Sequence, residues 1–295
     1  MVRPASHDGR LAPGLHLVAT PIGNLGDLSA RAVAVLKGAD VIACEDTRVT
    51  GKLAHAFGIA TPLLSYHEHN AERMRPRLLA RLREGERVAL VSDAGTPLIS
   101  DPGYKLVREA VAEGLPVIPI PGPSAALAAL VVSGLPTDRF FFQGFLPSKS
   151  GARKTVLAEL AAIPATLIVY EAARRLGDTL GDMATALGAR EAAVGRELTK
   201  LYEEVRRGTL AALATHYGAA PAKGEAVIVV APPGPAVVDA AAEEAALERR
   251  LAELLDRVGV KEAAVTAARE FGLSRRDVYS RALALRGSRG GTGDP

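Results

Sequence analysis

Val88-Ala-Leu-Val-Ser-Asp-Ala-Gly-Thr-Pro-Leu-Ile-Ser-Asp-Pro-Gly103 is the stretch of this sequence that decides the fold. Its first four residues form an apolar run with the length and β-branched character of a buried parallel strand. Glycine and proline then alternate with polar side chains, and open α/β folds hold their ligands in such loops at strand carboxyl ends. The alternative is an ordinary strand-to-helix turn, which needs only about 2–6 residues. The stretch therefore predicts a ligand-binding loop followed by a helix over Tyr104–Glu113.

Short apolar runs and amphipathic segments alternate along the rest of the chain, which predicts an α/β protein. The other predicted strands are Leu15–Thr20, Val41–Cys44, Val117–Ile120, Thr166–Tyr170, Ala193–Leu198 and Ala226–Val230. Two helices are predicted from their capping residues: Asp27 begins a helix that ends at Gly38, and Ser124 begins the helix Ala125–Val132. Near the C-terminus, Val260–Tyr279 is typical of a helix-turn-helix, with its turn at Gly272.

The length of 295 residues suits two domains and an extension. The predicted parts are a flexible leader (1–13), an N-terminal α/β domain (14–123), a C-terminal α/β domain (124–231), a linker (232–245), a helical helix-turn-helix-like extension (246–286) and a disordered tail (287–295). The leader has no apolar core, so we do not expect a signal peptide. No apolar run is long enough to span a bilayer. The lone Cys44 excludes an internal disulfide and indicates a reducing, cytoplasmic setting.

Charge and nucleotide motifs narrow the function further. The net charge is only +3, but the pI near 9.1 leaves room for local basic patches, the feature that matters for nucleic-acid binding. The turn after the first predicted strand reads Thr20-Pro-Ile-Gly-Asn-Leu-Gly26, which lacks the glycine spacing of a dinucleotide-binding loop. No P-loop motif occurs anywhere. These observations argue against nicotinamide enzymes and P-loop NTPases.

Several separated motifs, in order, resemble one family. Besides the opening loop they are Ala19-Thr-Pro-Ile-Gly-Asn-Leu-Gly-Asp-Leu28, Cys44-Glu-Asp-Thr-Arg48, His67-Glu-His-Asn70, Pro121-Gly-Pro-Ser-Ala125, Ser133-Gly-Leu-Pro136 with Asp138-Arg-Phe140, Gly144-Phe-Leu-Pro147 and Arg196-Glu-Leu-Thr-Lys200. Over residues 14–231 and the C-terminal segment, the chain resembles the tetrapyrrole-methylase-like methyltransferases. More narrowly, it resembles the ribosomal RNA small-subunit methyltransferase I family, which methylates a ribose 2′-hydroxyl of a 16S cytidine.

The resemblance implies two α/β/α domains, a small helical extension, and a cleft between the domains that binds S-adenosylmethionine. It also implies a homodimer and a 16S rRNA substrate within the small ribosomal subunit. The cofactor-binding residues implied are Pro21, Ile22, Asp93, Gly95, Thr96, Pro97, Leu98, Ile99, Asp101, Ser124, Ala125, Tyr170, Glu171 and Glu225. The candidates for catalysis or for the RNA side are Asp46, Arg48, Glu171, Arg196, Glu197 and Lys200.

Two polar motifs leave alternatives open. In Glu45-Asp-Thr-Arg48, a carboxylate can accept a ribose hydroxyl proton and Arg48 can contact a phosphate. The same residues can equally cap the next helix and pair with each other; both interpretations stay open for Asp46. In His67-Glu-His-Asn70, two histidines two residues apart make a poor metal site. We therefore predict no metal, and a loop that lines an RNA or cofactor cleft.

The expected RNA contacts come from basic side chains in two segments of the chain. Lys149, Arg153 and Lys154 form a basic cluster that is a candidate for binding phosphates. The adjacent phenylalanines, Phe140, Phe141, Phe142 and Phe145, are interpreted as core of a second sheet rather than base-stacking platforms. Arg275, Arg276 and Arg281 are expected to be exposed on the second helix of the helix-turn-helix. That motif either binds rRNA or packs on the core.

One position departs from the family pattern. A Pro-His pair is expected before Arg175, but the chain has Ala173-Arg174. The substitution either removes the role that the histidine would have or transfers that role to the guanidinium of Arg174. Two other functions remain as alternatives: a tetrapyrrole C-methyltransferase, which shares the cofactor cleft, and a helix-turn-helix regulator. The first does not explain the basic tail, and the second leaves some 230 residues of ligand-loop architecture without a role.

Overall fold

The computed structural model describes residues 11–100, 103–220, 222–234 and 240–289. Asp101, residues 1–10 of the predicted leader, 235–239 of the predicted linker and 290–295 of the predicted tail lie outside the described residues. The described chain forms two compact units that divide between Pro233 and Gly234. The first unit holds two five-stranded sheets, and the second unit is helical. The separation of the first unit into domains 14–123 and 124–231 stays a prediction.

The first sheet is entirely parallel, in the order β3-β2-β4-β1-β5. Its strands are β1 (Gly14–Val18), β2 (Val41–Cys44), β3 (Leu63–Ser65), β4 (Arg87–Val91) and β5 (Val117–Ile120). Its helices are α1 (Ala30–Gly38), α2 (Thr47–Ala56), α3 (Ala71–Arg83) and α4 (Tyr104–Ala112). The sequence predicted four of these strands, and the short strand β3 was missed.

Strand β4 shows why the apolar runs are continuous. Val88 and Leu90 pack on one face of the sheet against α3 and α4. Ala89 and Val91 pack on the other face against α1 and α2. Because both faces are covered by helices, Val88–Val91 are all buried and this run shows no polar alternation. All five carboxyl ends meet at one edge, where the loop after β4 lies.

The second sheet is mixed, in the order β6-β7-β10-β8-β9. Only β6 and β7 are parallel; the other neighbours are antiparallel. Its strands are β6 (Phe140–Phe145), β7 (Thr166–Ala172), β8 (Glu191–Arg196), β9 (Glu204–Thr209) and β10 (Glu225–Val230). Antiparallel pairing places the start of β10 beside the ends of β7 and β8, since Ala226 is opposite both Glu171 and Arg196. Three strand termini therefore meet at one edge of this sheet.

Helices cover both faces of the second sheet. They are α5 (Ala125–Ser133), α6 (Ser150–Leu160), α7 (Leu176–Leu187) and α8 (Leu210–Ala219). Helix α5 packs its Ala126, Ala129 and Leu130 on one face, and the other three helices pack on the opposite face. Because α5 directly follows β5 of the first sheet, its N-terminus lies where the chain passes from one sheet to the other.

The second unit contains α9 (Ala240–Leu255), α10 (Val260–Phe271) and α11 (Arg275–Arg289). Leu251, Ala267, Val278 and neighbouring apolar residues form its own core. Gly272 ends α10 in the left-handed conformation, with φ 65°, as the predicted turn requires. Helix α9 begins inside the predicted linker, and α11 extends three residues into the predicted tail. Among the described residues, no helix has both the length and the apolar character needed to cross a membrane.

Three local predictions were wrong or incomplete. Asp27 does not cap α1; it lies in a short 3-10 turn, and the Ser29 side chain accepts the hydrogen bond from the Ala32 N–H. Ser124 occupies the N-cap position of α5, but its side chain makes no capping hydrogen bond. The core prediction for the phenylalanines of β6 was wrong for Phe140, Phe141 and Phe145, which are exposed on this edge strand. Phe142 is half-buried and packs against the core of the second sheet, as predicted.

Candidate active site

A cavity of about 370 Å³, here called the main cavity, lies between the edges of the two sheets. The loop after β4 and the N-terminus of α5 form one side of it. The ends of β7 and β8 and the start of β10 form the other. Its lining residues are Ile22, Asp93, Ala94, Gly95, Thr96, Ile99, Ser100, Ser124, Ala125, Phe145, Tyr170, Glu171, Ala172, Gly195, Glu197, Leu198, Lys200, Glu225, Ala226 and Val227.

The loop after β4 is held by backbone contacts to the first loop of the chain. Thr20 and Gly95 exchange two backbone hydrogen bonds, of 2.9 and 3.0 Å. Gly95 has φ +82°, a conformation that favours glycine. Leu98 and Ser100 also have positive φ, 74° and 65°, which side-chain-bearing residues seldom adopt. Such strain persists only where the surroundings enforce it, and it concentrates at functional sites.

Asp93 differs from the other carboxylates on the wall of the main cavity. It accepts one hydrogen bond, from the backbone N–H of Asp46 at 3.1 Å. Among the described residues it forms no ion pair with a cation. Partial burial raises the pKa of Asp93, and the nearby Asp46 carboxylate adds to the shift. A half-buried carboxylate with a raised pKa and a free oxygen is suited to accept a proton from a ligand.

Glu171 is fully buried, and its contacts lie within its own part of the fold. Its carboxylate accepts hydrogen bonds from the Arg175 guanidinium, from the Thr179 hydroxyl at 2.7 Å and from the Ala172 N–H at 2.8 Å. These donors occupy both oxygens of the carboxylate, which leaves little room for a further hydrogen bond from a ligand. Glu171 therefore shapes the wall where β7 ends. The departure at Ala173-Arg174 lies just beyond; Arg174 is exposed and does not line the main cavity.

Lys200 joins two carboxylates on the side of the cavity formed by the second sheet. Its ammonium is 3.0 Å from Glu197 and 3.2 Å from Glu225. Burial alone would raise the pKa of Glu197, but the Glu225 N–H and Lys200 outweigh it and the pKa is lowered. The Lys200 stem also lies against Gly23, where any side chain would overlap it. Lys200 thus connects the second sheet to the first loop of the chain.

Arg196 and the Asp46–Arg48 motif are also engaged in local contacts. Arg196 pairs with Glu204 at 3.0 Å and does not line the main cavity. Asp46 caps α2 through the Arg48 N–H and forms an ion pair with the Arg48 guanidinium. Hydrogen bonds from Arg48 lower the pKa of Asp46 to about 2. Of the two interpretations left open for Asp46, the structure shows the cap and the pair.

A second cavity of about 230 Å³, here called the side cavity, lies beside the first. The loop after β1, helix α2 and the end of β4 form it. Its lining residues are Thr20, Pro21, Gly23, Leu25, Val49, Thr50, Lys52, Leu53, Ser92 and Asp93. Pro21, predicted at the cofactor site, lines only this cavity. Asp93 lines both.

Most of the predicted cofactor-binding residues come together at the main cavity. They are Ile22, Asp93, Gly95, Thr96, Ile99, Ser124, Ala125, Tyr170, Glu171 and Glu225. Pro97 and Leu98 belong to the same loop but do not line it. The sequence missed Ala94, Phe145, Ala172, Gly195, Leu198, Ala226 and Val227. Most of these neighbour a predicted residue, but the pairing of β7, β8 and β10 was needed to place them.

The predicted basic cluster is divided by the structure. Arg153 is buried and pairs with Asp182 at 2.6 Å, so its assignment as an RNA-binding residue was wrong. Lys149 and Lys154 are exposed, although Lys154 also reaches Asp182 at 3.3 Å. In the C-terminal unit Arg275, Arg276 and Arg281 are exposed, and Arg281 pairs with Glu244. His67 and its neighbours belong to no cluster of three or more metal-ligating side chains within the described ranges.

Comparison with known proteins identifies the family. The family model of Tetrapyrrole (Corrin/Porphyrin) Methylases matches residues 14–214, and that of the RsmI C-terminal HTH domain matches residues 241–286. A relative from Mesorhizobium japonicum, named ribosomal RNA small subunit methyltransferase I, is 53% identical over 283 residues, 95% of each chain. One of the same name from Escherichia coli O157:H7 is 44% identical over 276 residues, 92% of this chain and 96% of the relative.

Solved structures show the same fold at low sequence identity. A diphthine synthase matches with a TM-score of 0.59 and 18% identity, covering 74% of this chain and 89% of its own. A uroporphyrin-III C-methyl transferase from Thermus thermophilus, complexed with S-adenyl homocysteine, matches with a TM-score of 0.52 and 22% identity, covering 74% and 97%. Because the family model matches residues 14–214 and the relative from Mesorhizobium japonicum is 53% identical over 95% of the chain, the chain belongs to the ribosomal RNA small subunit methyltransferase I family of the tetrapyrrole methylases.

Proposed function

We propose that this protein uses S-adenosylmethionine to methylate the ribose 2′-hydroxyl of a cytidine in 16S rRNA of the small ribosomal subunit. The observation that carries the proposal is the 53% identity, over 95% of the chain, to a relative named ribosomal RNA small subunit methyltransferase I. The match extends through the C-terminal unit, whose family model is a helix-turn-helix. A tetrapyrrole substrate leaves that unit without a role, and a regulator leaves the main cavity without one.

The main cavity fits the cofactor in size and charge. Its volume of about 370 Å³ falls within the range of small-molecule sites, roughly 300–1,000 Å³. Among the described residues, Asp93, Glu171, Glu197 and Glu225 line it, and the cations paired with them are Lys200 and Arg175. The remaining excess of negative charge favours a positively charged ligand. The Ser124 hydroxyl at the N-terminus of α5 accepts no capping bond, so it is available to a ligand. S-adenosylmethionine, when bound, supplies a methyl group on a positively charged sulfur.

The residues of the chain then have to hold the ribose and take its proton. A ribose hydroxyl is a weak nucleophile at neutral pH, so a carboxylate within hydrogen-bond reach assists it. Asp93 is placed for this role because its charge is not paired with a described cation and its raised pKa makes it a better base. Glu171 and Lys200 position the walls through their own ion pairs. Much of the rate enhancement then comes from alignment of the reacting oxygen.

We infer that the working form is a cytoplasmic homodimer. Helix α5 and strand β6 expose Leu127, Val131, Phe140, Phe141 and Phe145, and Val131 is 70% exposed. Leu127 and Val131 are one helical turn apart on α5, and neighbouring apolar side chains on a surface are typical of a protein interface. A second copy of the chain is the occupant that the family resemblance implies. Analytical ultracentrifugation, with Val131→Glu as the disrupting variant, tests this point.

The function is tested by transfer of labelled methyl from S-adenosylmethionine to small ribosomal subunits that lack the modification. Naked 16S RNA and a tetrapyrrole serve as competing substrates. We expect ribose-specific label in the RNA, with subunits preferred over naked RNA. Label in the tetrapyrrole alone would overturn the RNA proposal and leave the fold unaffected. Binding of the cofactor without any transfer would contradict the assignment of an enzyme.

A further inference from the structure

The side cavity has no role in the function proposed so far. It adjoins the main cavity, and Asp93 forms part of both walls. The loop from Thr20 to Leu25 and one face of α2 enclose it. A ligand that fills the main cavity therefore leaves a second compartment that reaches the same carboxylate.

The side cavity combines apolar walls with a few polar groups. Pro21, Leu25, Val49 and Leu53 supply apolar walls. The hydroxyl of Thr20 is engaged, since it donates to the Ser92 carbonyl at 3.2 Å. Lys52 is exposed at this cavity and forms no ion pair with any described residue. The site thus offers apolar surface, one free cation and the Asp93 carboxylate.

The dimensions indicate a ligand smaller than the cofactor. The volume of about 230 Å³ lies below that of pockets that enclose whole drug-sized ligands, roughly 300–1,000 Å³. A single nucleobase is a planar group of suitable size. An enzyme that modifies a nucleotide draws it out of its stack and covers the base with aromatic or apolar side chains.

We propose that the side cavity receives the pyrimidine base of the target nucleotide while the 2′-hydroxyl of the same nucleotide lies at Asp93. The proposal rests on the RNA substrate proposed above. Base and 2′-hydroxyl belong to one nucleoside and lie a few bonds apart, so their two sites have to adjoin, as these cavities do. Val49 and Leu53 cover the base, and the Lys52 ammonium donates to its carbonyl oxygen.

The first test fills the side cavity without touching the main one. Val49 lines only the side cavity and is 41% exposed, so Val49→Trp adds bulk with little strain on the core. His55→Trp, at an exposed position of the same helix outside both cavities, is the matched control. We expect Val49→Trp to lower kcat/KM on small subunits at least tenfold and to keep the cofactor Kd within twofold. The control retains wild-type values for both.

The second test removes the base instead of the cavity. The methylated nucleotide is first located by mass spectrometry, and subunits are then assembled with an abasic ribose at that position. We expect the wild type to lose at least tenfold in kcat/KM on the abasic substrate, and Val49→Trp to treat the abasic and intact substrates alike. Three results would each overturn the proposal. The losses in kcat/KM from Val49→Trp and from the missing base could be fully additive, the wild type could methylate intact and abasic substrates equally, or Val49→Trp could have normal activity on the intact substrate. If the wild type methylates no RNA at all, the proposed function fails together with this inference.

Discussion

The two sides of the main cavity carry similar residues in different states of pairing. On the side of the second sheet, Glu171, Glu197 and Glu225 all form ion pairs, with Arg175 or with Lys200. On the side of the first sheet, Asp93 accepts a single backbone hydrogen bond and forms no ion pair among the described residues. Carboxylates that are already ion-paired fix the shape of the cavity wall, whereas an unpaired, half-buried carboxylate can accept a proton from a substrate.

This difference assigns distinct roles to the two sheets. The parallel sheet brings Asp93 and a strained loop to its carboxyl edge, as open α/β folds commonly do. The mixed sheet contributes a wall whose charged groups are already paired with one another. Substitutions on the two sides should therefore separate, with the first sheet affecting the rate and the second affecting binding and stability.

The largest effect is expected at Asp93. Asp93→Asn keeps an oxygen for the Asp46 N–H but loses the negative charge, so the fold is retained and kcat falls by about 100-fold or more. The cofactor Kd stays within about threefold. A base acts only when it is deprotonated. Because burial raises the pKa of Asp93, wild-type activity falls as the pH is lowered through a value above the usual aspartate range. The variant lacks that acid limb.

Steady-state kinetics across pH on small subunits measure both effects. Asp178→Asn, an exposed position in the first turn of α7, is the control and should behave as wild type. A near-normal kcat for Asp93→Asn would mean that another group accepts the proton. The two sides of the main cavity would then not differ in their role in catalysis.

A structural effect is expected from the ion pair between Asp182 and Arg153, the residue that the sequence analysis assigned to RNA binding. Asp182→Ala leaves the buried Arg153 guanidinium without its carboxylate, at a cost of about 3 kcal/mol in the free energy of unfolding. Hydrogen bonds from Ser150 and Arg153 outweigh the effect of burial and lower the pKa of Asp182. The stabilisation is therefore present at neutral pH and is lost as the pH falls through this lowered value.

Urea unfolding at pH 7 and at a pH below the ordinary aspartate pKa of about 3.9 measures this contribution. The control is Glu113→Ala, which breaks the exposed Arg83–Glu113 pair and should leave stability close to wild type. The cofactor Kd of folded Asp182→Ala should match the wild type. Loss of RNA affinity without loss of stability would instead restore Arg153 as an RNA-binding residue.

A smaller effect is expected at Lys200, which joins the two carboxylates of the second sheet. Lys200→Met retains the apolar stem that lies against Gly23 but removes the ammonium between Glu197 and Glu225. The ammonium donates to both carboxylates, and we expect the loss of the wall geometry that these two bonds hold to outweigh the gain in negative charge. The cofactor Kd should therefore rise about fivefold, equivalent to roughly 1 kcal/mol, with kcat nearly unchanged. Calorimetry measures the affinity for the cofactor. The control is Lys105→Met, at an exposed position of α4. A large fall in kcat would place Lys200 among the reacting groups.

The sequence predicted the first sheet better than the second for a physical reason. Buried parallel strands are continuous apolar runs, so Val41–Cys44 and Val117–Ile120 were predicted at the bounds that the structure shows. The loop after β4 was recognised from its glycine and proline spacing, and the predicted family was confirmed. In the second sheet, the pairing of β10 with β7 and β8 depends on strand direction, which apolar runs do not encode.

Long-range partners explain the remaining errors. Arg153 adjoins Lys149 and Lys154 in sequence, but its partner Asp182 lies 29 residues away on α7, so a local cluster of charge was mistaken for a surface. The phenylalanines of β6 occupy an edge strand, and the edge position follows only from the strand order. Asp27 and Ser29 are both good capping residues two positions apart, and local preference alone did not choose between them.

The smallest effect is expected in the C-terminal unit, where pairing again separates two kinds of arginine. Arg275 and Arg276 are exposed and form no ion pair within the described part of the unit, whereas Arg250 pairs with Glu253 and Glu270. If the free pair contacts rRNA phosphates, Arg275→Ala with Arg276→Ala weakens RNA binding a few-fold at moderate salt. The slope of log Kd against log salt then falls by about 1.5, because each contact contributes roughly 0.7–0.9. The control is Arg250→Ala, which removes an arginine that is already paired and should leave the slope unchanged. An unchanged slope in the double variant would mean that the unit does not bind RNA through this end of the helix.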